Sequence, residues 1–283
     1  MMDYKKLRLE LGLPAPVRVL HITDPHLVAA DGRDNPRKWA LAAKRAEQMA
    51  GATAEAYLQE ALDYGEKHCD VTVCTGDLMD FITEAACDKL RALCRRPRLL
   101  FAVGNHEFSQ YVGERTEDLA YKMETFTQVQ SCVPQNLDFA STVVGGVNFI
   151  TLDNSYYQFS RRQRLLLQQE CTRPYPIVLC MHVPLYQPEL FRAAVEEHDP
   201  EHVAYLCGCP EEAMAGYPPH RLAQQRPDAE TQEFLSYLYT QPKVRLILAG
   251  HTHWDSETVL PGGIRQLVSA GTFFGTAREI TLV

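Results

Sequence analysis

Aspartate, histidine and asparagine recur in this 283-residue chain at one kind of place, directly after a short apolar run. Asp24 and His26 follow Val17–Ile22, and Asp77 and Asp80 follow Val71–Cys74. Asn105 and His106 follow residues 99–103, and His182 follows residues 176–181. His251 and His253 follow residues 246–249, with Gly250 between. Five of the 10 histidines sit in these positions, too many to be scattered decoration. The donors are imidazole, carboxylate and amide oxygen. That mixture suits Mn, Fe or Zn better than a thiolate site or an all-oxygen calcium site. It also exceeds what one tetrahedral ion can use, whereas two ions sharing a carboxylate would employ all of it.

The elements that must carry these residues follow from the pattern between them. Short apolar runs ended by glycine or proline read as buried strands. Pro25 lacks an N–H and holds Asp24 extended, so the first run stops there. Helical patterns separate the runs: residues 39–68, with Gly51 a possible break, then 83–95, with Thr83 as N-cap, and 114–129. Residues 161–171 and 228–241 are also helical, and a short helix is expected near 189–197. Residues 142–152 read as a hairpin turning on Gly145-Gly146. The last runs, 257–260, 264–269 and 279–283, read as short antiparallel strands, and residues 1–16 as a polar lead-in. Strand–helix alternation predicts a layered α/β chain, in which ligands bind beyond the carboxyl ends of the strands. Residues 185–228, which hold six of the 17 prolines, read as an irregular excursion from a single domain spanning 1–283.

Bulk properties narrow the function. An apolar fraction of 46% and a charged fraction of 23% are those of an ordinary globular protein. The net charge of −8 disfavours long nucleic acid and anionic membrane as partners, while metal ions could still draw a phosphate to the site. No secretory leader or membrane span is expected, and nine scattered cysteines read as reduced, which points to the cytosol. Cys207 and Cys209 are too close together for half of a zinc knuckle.

The blocks D24-P-H26, G76-D77-L-M-D80, G104-N105-H106-E107, H182 and G250-H251-T-H253 resemble, in order, the motifs of the calcineurin-like metallophosphoesterase superfamily. The resemblance implies a four-layer α/β/β/α sandwich and a dinuclear metal centre. Asp24, His26, Asp77 and His253 would hold one ion. Asp77, Asn105, His182 and His251 would hold the other, with Asp77 bridging. A hydroxide between the metals would attack phosphorus, His106 would assist the leaving oxygen, and Asp80 would fix the His106 tautomer. The serine/threonine phosphatase branch carries an arginine after its second aspartate. Phe81 stands there, so phosphodiesterases of small or nucleotide substrates are the closer match. A phosphomonoesterase, a protein phosphatase and a non-catalytic metal-binding scaffold are the alternatives.

Other candidates read as structural. His21 lies within a strand and is expected to be a buried, hydrogen-bonded histidine. His198, His202 and His220 are expected in solvated loops. Arg161, Arg162 and Arg164 are expected on a wet helix face. Glu107 is expected to favour the N-terminus of the following helix. Trp254 suits either the pocket wall or the core.

Overall fold

The computed structural model describes residues 1–113, 118–198 and 203–283. The N-terminal half carries β1 (Asp3–Leu9), β2 (Val17–Ile22), α1 (Pro36–Gln48), α2 (Gly51–His68), β3 (Val71–Cys74), α3 (Glu84–Cys94), β4 (Leu99–Phe101) and α4 (Leu119–Cys132). Then follow the hairpin β5 (Phe139–Val144) and β6 (Val147–Leu152), α5 (Arg161–Thr172), β7 (Ile177–Cys180), α6 (Pro188–Ala193), α7 (Pro219–Gln225) and α8 (Ala229–Leu238). The chain closes with β8 (Val244–Ala249), β9 (Ser256–Leu260), β10 (Ile264–Val268) and β11 (Thr276–Leu282).

Two sheets result, ordered β1-β11-β2-β3-β4 and β5-β6-β7-β8-β10-β9. The period-2 alternation of strand side chains explains how they stack. Val19, Val71 and Val73 of the first sheet pack with Phe149, Val178, Leu246 and Leu248 of the second. Alternate residues point outwards. Leu20, Ile22 and Cys74 meet Leu58 and Leu62 of α2 and Leu90 of α3. Ile150, Leu179 and Ile247 meet Leu167 of α5 and Phe234 of α8. Both faces of each sheet are thus covered, and the fold is a four-layer α/β/β/α sandwich. The neighbouring pairs β2–β3, β3–β4, β6–β7 and β7–β8 are all parallel, so their carboxyl ends lie along one edge of the sandwich.

The helical run expected over 39–68 is two helices. Ala50 and Gly51 both take positive φ, 57° and 44°, and turn the chain between them. The lead-in contains a strand, β1, paired in parallel with β11. It is a mostly exposed edge strand, rich in lysine and arginine, so it lacks the apolar run that marks a buried one. The last strand does not extend the antiparallel run: β11 crosses to the first sheet and pairs antiparallel with β2. β9 and β10 do form the expected antiparallel pair, but β10 also runs parallel to β8. Both pairings join residues distant in sequence, which local pattern does not encode. The start expected for α4 at Glu114, the side chain of His198, and His202 lie outside the described residues. His220 is exposed on α7 rather than in a loop. No described helix is long and apolar enough to cross a membrane.

Candidate metal centre

The strand pairing continues past the strand ends and assembles the site. The Asp24 N–H donates to the Gly76 carbonyl, and the His26 N–H to that of Asp77, each at 2.9 Å. The Gly250 N–H donates to the His182 carbonyl at 3.0 Å, tying the β7 and β8 ends together. Asp24 joins the two sheets by accepting the His251 N–H at 3.0 Å, and Asp77 ties the β3 and β4 ends of the first sheet by accepting the His106 N–H at 2.9 Å. Such close approach leaves no room for a side chain at Gly250, whose Cβ would run into Thr23 and Asp24, or at Gly104, where it would meet Asp77.

Five of the expected ligands have left-handed backbone: Asp24 (φ 49°), which Pro25 was expected to hold extended, His26 (46°), Asp77 (51°), His251 (69°) and His253 (62°). That conformation costs a non-glycine residue on the order of 1 kcal/mol and persists only where the surroundings over-determine it. Its concentration at one edge is the mark of a site built for geometry at the expense of local comfort.

The side chains fall into two groups whose ligand atoms lie within 4.8 Å of one another: Asp24, His26 and His253, then Asp77, His182 and His251. His26 Nε2 faces His253 Nε2 at 3.0 Å, and His251 Nδ1 faces His182 Nε2 at 3.1 Å. Asp77 Oδ2 stands between the groups, 3.1 Å from His182 Nε2 and 3.8 Å from His26 Nε2. Asn105 is buried at the head of the turn after β4. The donor arrangement fits two cations. Paired imidazole nitrogens aimed at each other need a proton or a metal between them. Asp24 Oδ1 is fully buried without a hydrogen bond, 3.2 Å from His253 Nε2.

The electrostatics are those of carboxylates packed among imidazoles. Burial alone would raise Asp77, yet His182, His106 and His26 hold it below the usual carboxylate range. Asp24 is likewise pulled down against its burial by His253 and His26. Burial opposes charge on His26 and His182, but Asp24 and Asp80 raise the first to about 10, and Asp77 the second to about 9. His251 goes the other way, lowered to about 3 by burial and by the neighbouring His182.

Asp80 differs from expectation. His106 Nδ1 donates to the Asp80 backbone carbonyl at 2.6 Å, while the carboxylate lies 3.5 Å away. Both carboxylate oxygens are taken by the Arg45 guanidinium of α1, each at 2.6 Å, and Oδ1 also meets His26 Nδ1 at 3.0 Å. The bidentate fork explains the preference. Burial would raise Asp80, but Arg45 and His26 hold it low. Asp80 therefore aims His26 Nε2 at the centre, and its carbonyl fixes the tautomer of His106. Nothing in the sequence marked Arg45, which sits in an amphipathic helix.

Glu107 is also more than a favourable charge near a helix. It is fully buried and accepts the N–H groups of Gly104 at 2.7 Å, Asp77 at 2.9 Å and Met79 at 3.2 Å. Burial and the nearby Asp77 carboxylate push it up to about 7. His21 is buried as expected, bridging the sheets between Thr75 Oγ1 and Ser269 Oγ. Arg162 is exposed and pairs with Asp138, whereas Arg164, expected on the same wet face, is mostly buried and pairs with Glu230 and Glu233 of α8. Trp254 packs at the edge of the apolar cluster formed by the excursion.

Tyr157 was not singled out in the sequence. It is buried with φ 65°, and its hydroxyl meets His251 Nε2 at 3.0 Å, which leaves Nδ1 to face the centre. Tyr157→Phe is expected to weaken metal binding at the Asp77–His182–His251 group by about 10-fold, the lower end for loss of a group that orients a ligand. Competition with a fluorescent chelator measures this; an unchanged affinity would show that the contact orients nothing.

A family model for calcineurin-like phosphoesterases matches residues 17–255. No curated protein matches the chain. Among solved structures, the chain is similar to a dimetal phosphatase from Danio rerio at 13% identity and a TM-score of 0.45, covering 92% of this chain and 89% of that one. It is also similar to a putative 5'-nucleotidase from Staphylococcus aureus at 13% identity and a TM-score of 0.43, covering 91% of this chain and 49% of that one. Phosphopantetheinyl hydrolase from Mycobacterium tuberculosis is 12% identical with a TM-score of 0.39, covering 90% and 89%. The match over 17–255 spans every strand end that contributes to the two donor groups, and by it the chain belongs to the calcineurin-like phosphoesterase family, whose chemistry is metal-dependent phosphoester hydrolysis.

Proposed function

We propose that this protein hydrolyses small phosphodiesters, nucleotide-like ones included, at a dinuclear centre. One ion is held by Asp24, His26, Asp77 and His253, and the other by Asp77, Asn105, His182 and His251. The observation that carries the assignment is Asp77 Oδ2, which faces both imidazole groups at once. Manganese, iron or zinc suits the nitrogen and oxygen donors. When bound, such ions lower the pKa of water and neutralise charge on phosphoryl oxygens.

The chain's own residues supply the rest. Asp80 and Arg45 orient His26, Tyr157 orients His251, and Glu107 ties the β3 and β4 turns to each other. His106 keeps its Nδ1 proton on the Asp80 carbonyl, so Nε2 is the nitrogen available to the substrate. Protonated at Nε2, it donates to the leaving oxygen. Phe81 in place of the branch-defining arginine supports a diester over a phosphoprotein substrate.

His106→Ala is expected to lower kcat by about 10²-fold or more for alkyl leaving groups, and by less for nitrophenolate, which departs without a proton. Equal losses on both would remove His106 from the proton-transfer role. The function itself is tested with metal-loaded protein on bis-p-nitrophenyl phosphate and p-nitrophenyl phosphate. A higher kcat/KM on the diester is expected. A preference for the monoester would overturn the diester assignment, and inertness towards both would overturn hydrolysis.

A further inference from the structure

Residues 185–198 and 203–228 build an apolar cluster of their own from Leu190, Val203, Leu206, Met214 and Tyr217, packed against Val268 at the end of β10. One face of α7 is polar within that apolar setting. Arg221 and Gln225 lie four residues apart and share a side of the helix. Gln225 is fully buried, and neither its Oε1 nor its Nε2 has a hydrogen-bond partner. Arg221 Nε is buried and unpartnered as well. Among the described residues no carboxylate pairs with Arg221; its Nη1 reaches only Gln224 Oε1, at 3.0 Å. Leaving a buried donor or acceptor unsatisfied costs about 1–3 kcal/mol each, more for a charged group. Three such atoms on one short helix leave donors and an acceptor that a polar ligand would satisfy.

Their position relates that ligand to the metal centre. The Arg221 guanidinium lies over the Tyr205 ring, 4.9 Å from its centroid, and Tyr205 meets His251 edge-on at 6.0 Å. Gln158 Nε2 donates to the Arg226 carbonyl at 2.9 Å, pinning the end of α7 beside Tyr157, whose hydroxyl meets His251. An aromatic ring thus separates Arg221 from the ligand histidine. That spacing is too long for the phosphoryl group under attack and suits a second group several bonds further along the same molecule.

We infer that Arg221 and Gln225 bind a second anionic group of the substrate, a phosphoryl or a carboxylate, next to the Asp77–His182–His251 half of the centre. Arginine offers a planar fork for such oxygens, and the Gln225 amide adds a further donor. The substrate class becomes a small phosphodiester that carries another anion, which the net charge of −8 would otherwise repel. The inference rests on the phosphodiesterase assignment above.

The test uses the metal-loaded full chain and two matched diesters: thymidine 5'-(p-nitrophenyl phosphate) with and without a 3'-phosphate. Wild-type protein is expected to favour the 3'-phosphorylated compound in KM. Arg221→Ala is expected to lower the ratio of the two kcat/KM values by about 10-fold or more, chiefly through KM, and Arg221→Lys to restore part of it. Thermal shift with thymidine 3',5'-bisphosphate against thymidine 5'-monophosphate gives a readout free of turnover, and the extra stabilisation by the bisphosphate should vanish in Arg221→Ala. An unchanged ratio, or equal losses on both compounds, overturns the inference while leaving the hydrolase intact. Wild-type inertness towards both diesters would sink the hydrolase and the inference together.

Discussion

Asp77→Asn is expected to empty both halves of the centre and to end turnover. The substitution preserves shape but removes the negative charge that faces both groups. Without that charge, two cations would sit close together with no carboxylate between them to offset their repulsion. Stabilisation of the transition state by the ions is worth several kcal/mol, and each 1.36 kcal/mol is tenfold in rate, so activity should fall by about 10³–10⁴-fold. Plasma mass spectrometry should show loss of metal at both positions, and added metal should no longer raise the melting temperature as it would by mass action in the wild type. His253→Ala is the contrast: it touches only the Asp24–His26 group and should lose one ion first. Full metal content in Asp77→Asn, or equal loss of both ions in His253→Ala, would refute the division drawn here.

Glu107→Ala should be the most damaging change for folding. Three N–H groups, from Gly104, Asp77 and Met79, converge on this buried carboxylate. Removing it leaves all three in the dark, at about 1–3 kcal/mol each, so a loss on the order of 4 kcal/mol is expected. That is a large part of the total stability of an ordinary domain. Glu107→Gln should be milder. Its oxygen can keep the Gly104 and Asp77 bonds, while its NH₂ group would face the Met79 N–H, donor against donor. Urea denaturation midpoints of the metal-free proteins measure both variants. A Glu107→Ala protein as stable as wild type would show that water satisfies the three donors.

The seven metal candidates stand out in the sequence because each strand is an apolar run and each candidate stands directly behind one. Such runs report burial locally, and their boundaries agree with β2, β3 and β7 within a residue or two. The Thr83 cap was legible for the same reason: its hydroxyl accepts the Ala86 N–H within one turn. What failed was pairing at a distance. β1 and β11 meet across almost the whole chain. The split between α1 and α2 falls at Gly51, where a break was expected; the positive φ at Ala50, a residue with no special taste for it, was not legible.

The same boundary runs through the site. The residue types, their order and their attachment to strand ends are properties of the sequence alone, since each is set by a few neighbouring residues. Only the tertiary structure decided that His251 Nδ1 and His253 Nε2 face different partners. Only it showed that Asp80 serves His26 through Arg45, that Glu107 gathers three backbone donors, and that Tyr157 and Arg221 stand near His251. Apart from the Gly104 bond to Glu107, these contacts join residues from 28 to 227 positions apart, and they exist because the sheets pack and bring their carboxyl ends to one edge. Packing chooses such neighbours through the sum of many weak contacts, and no single stretch of chain carries that sum.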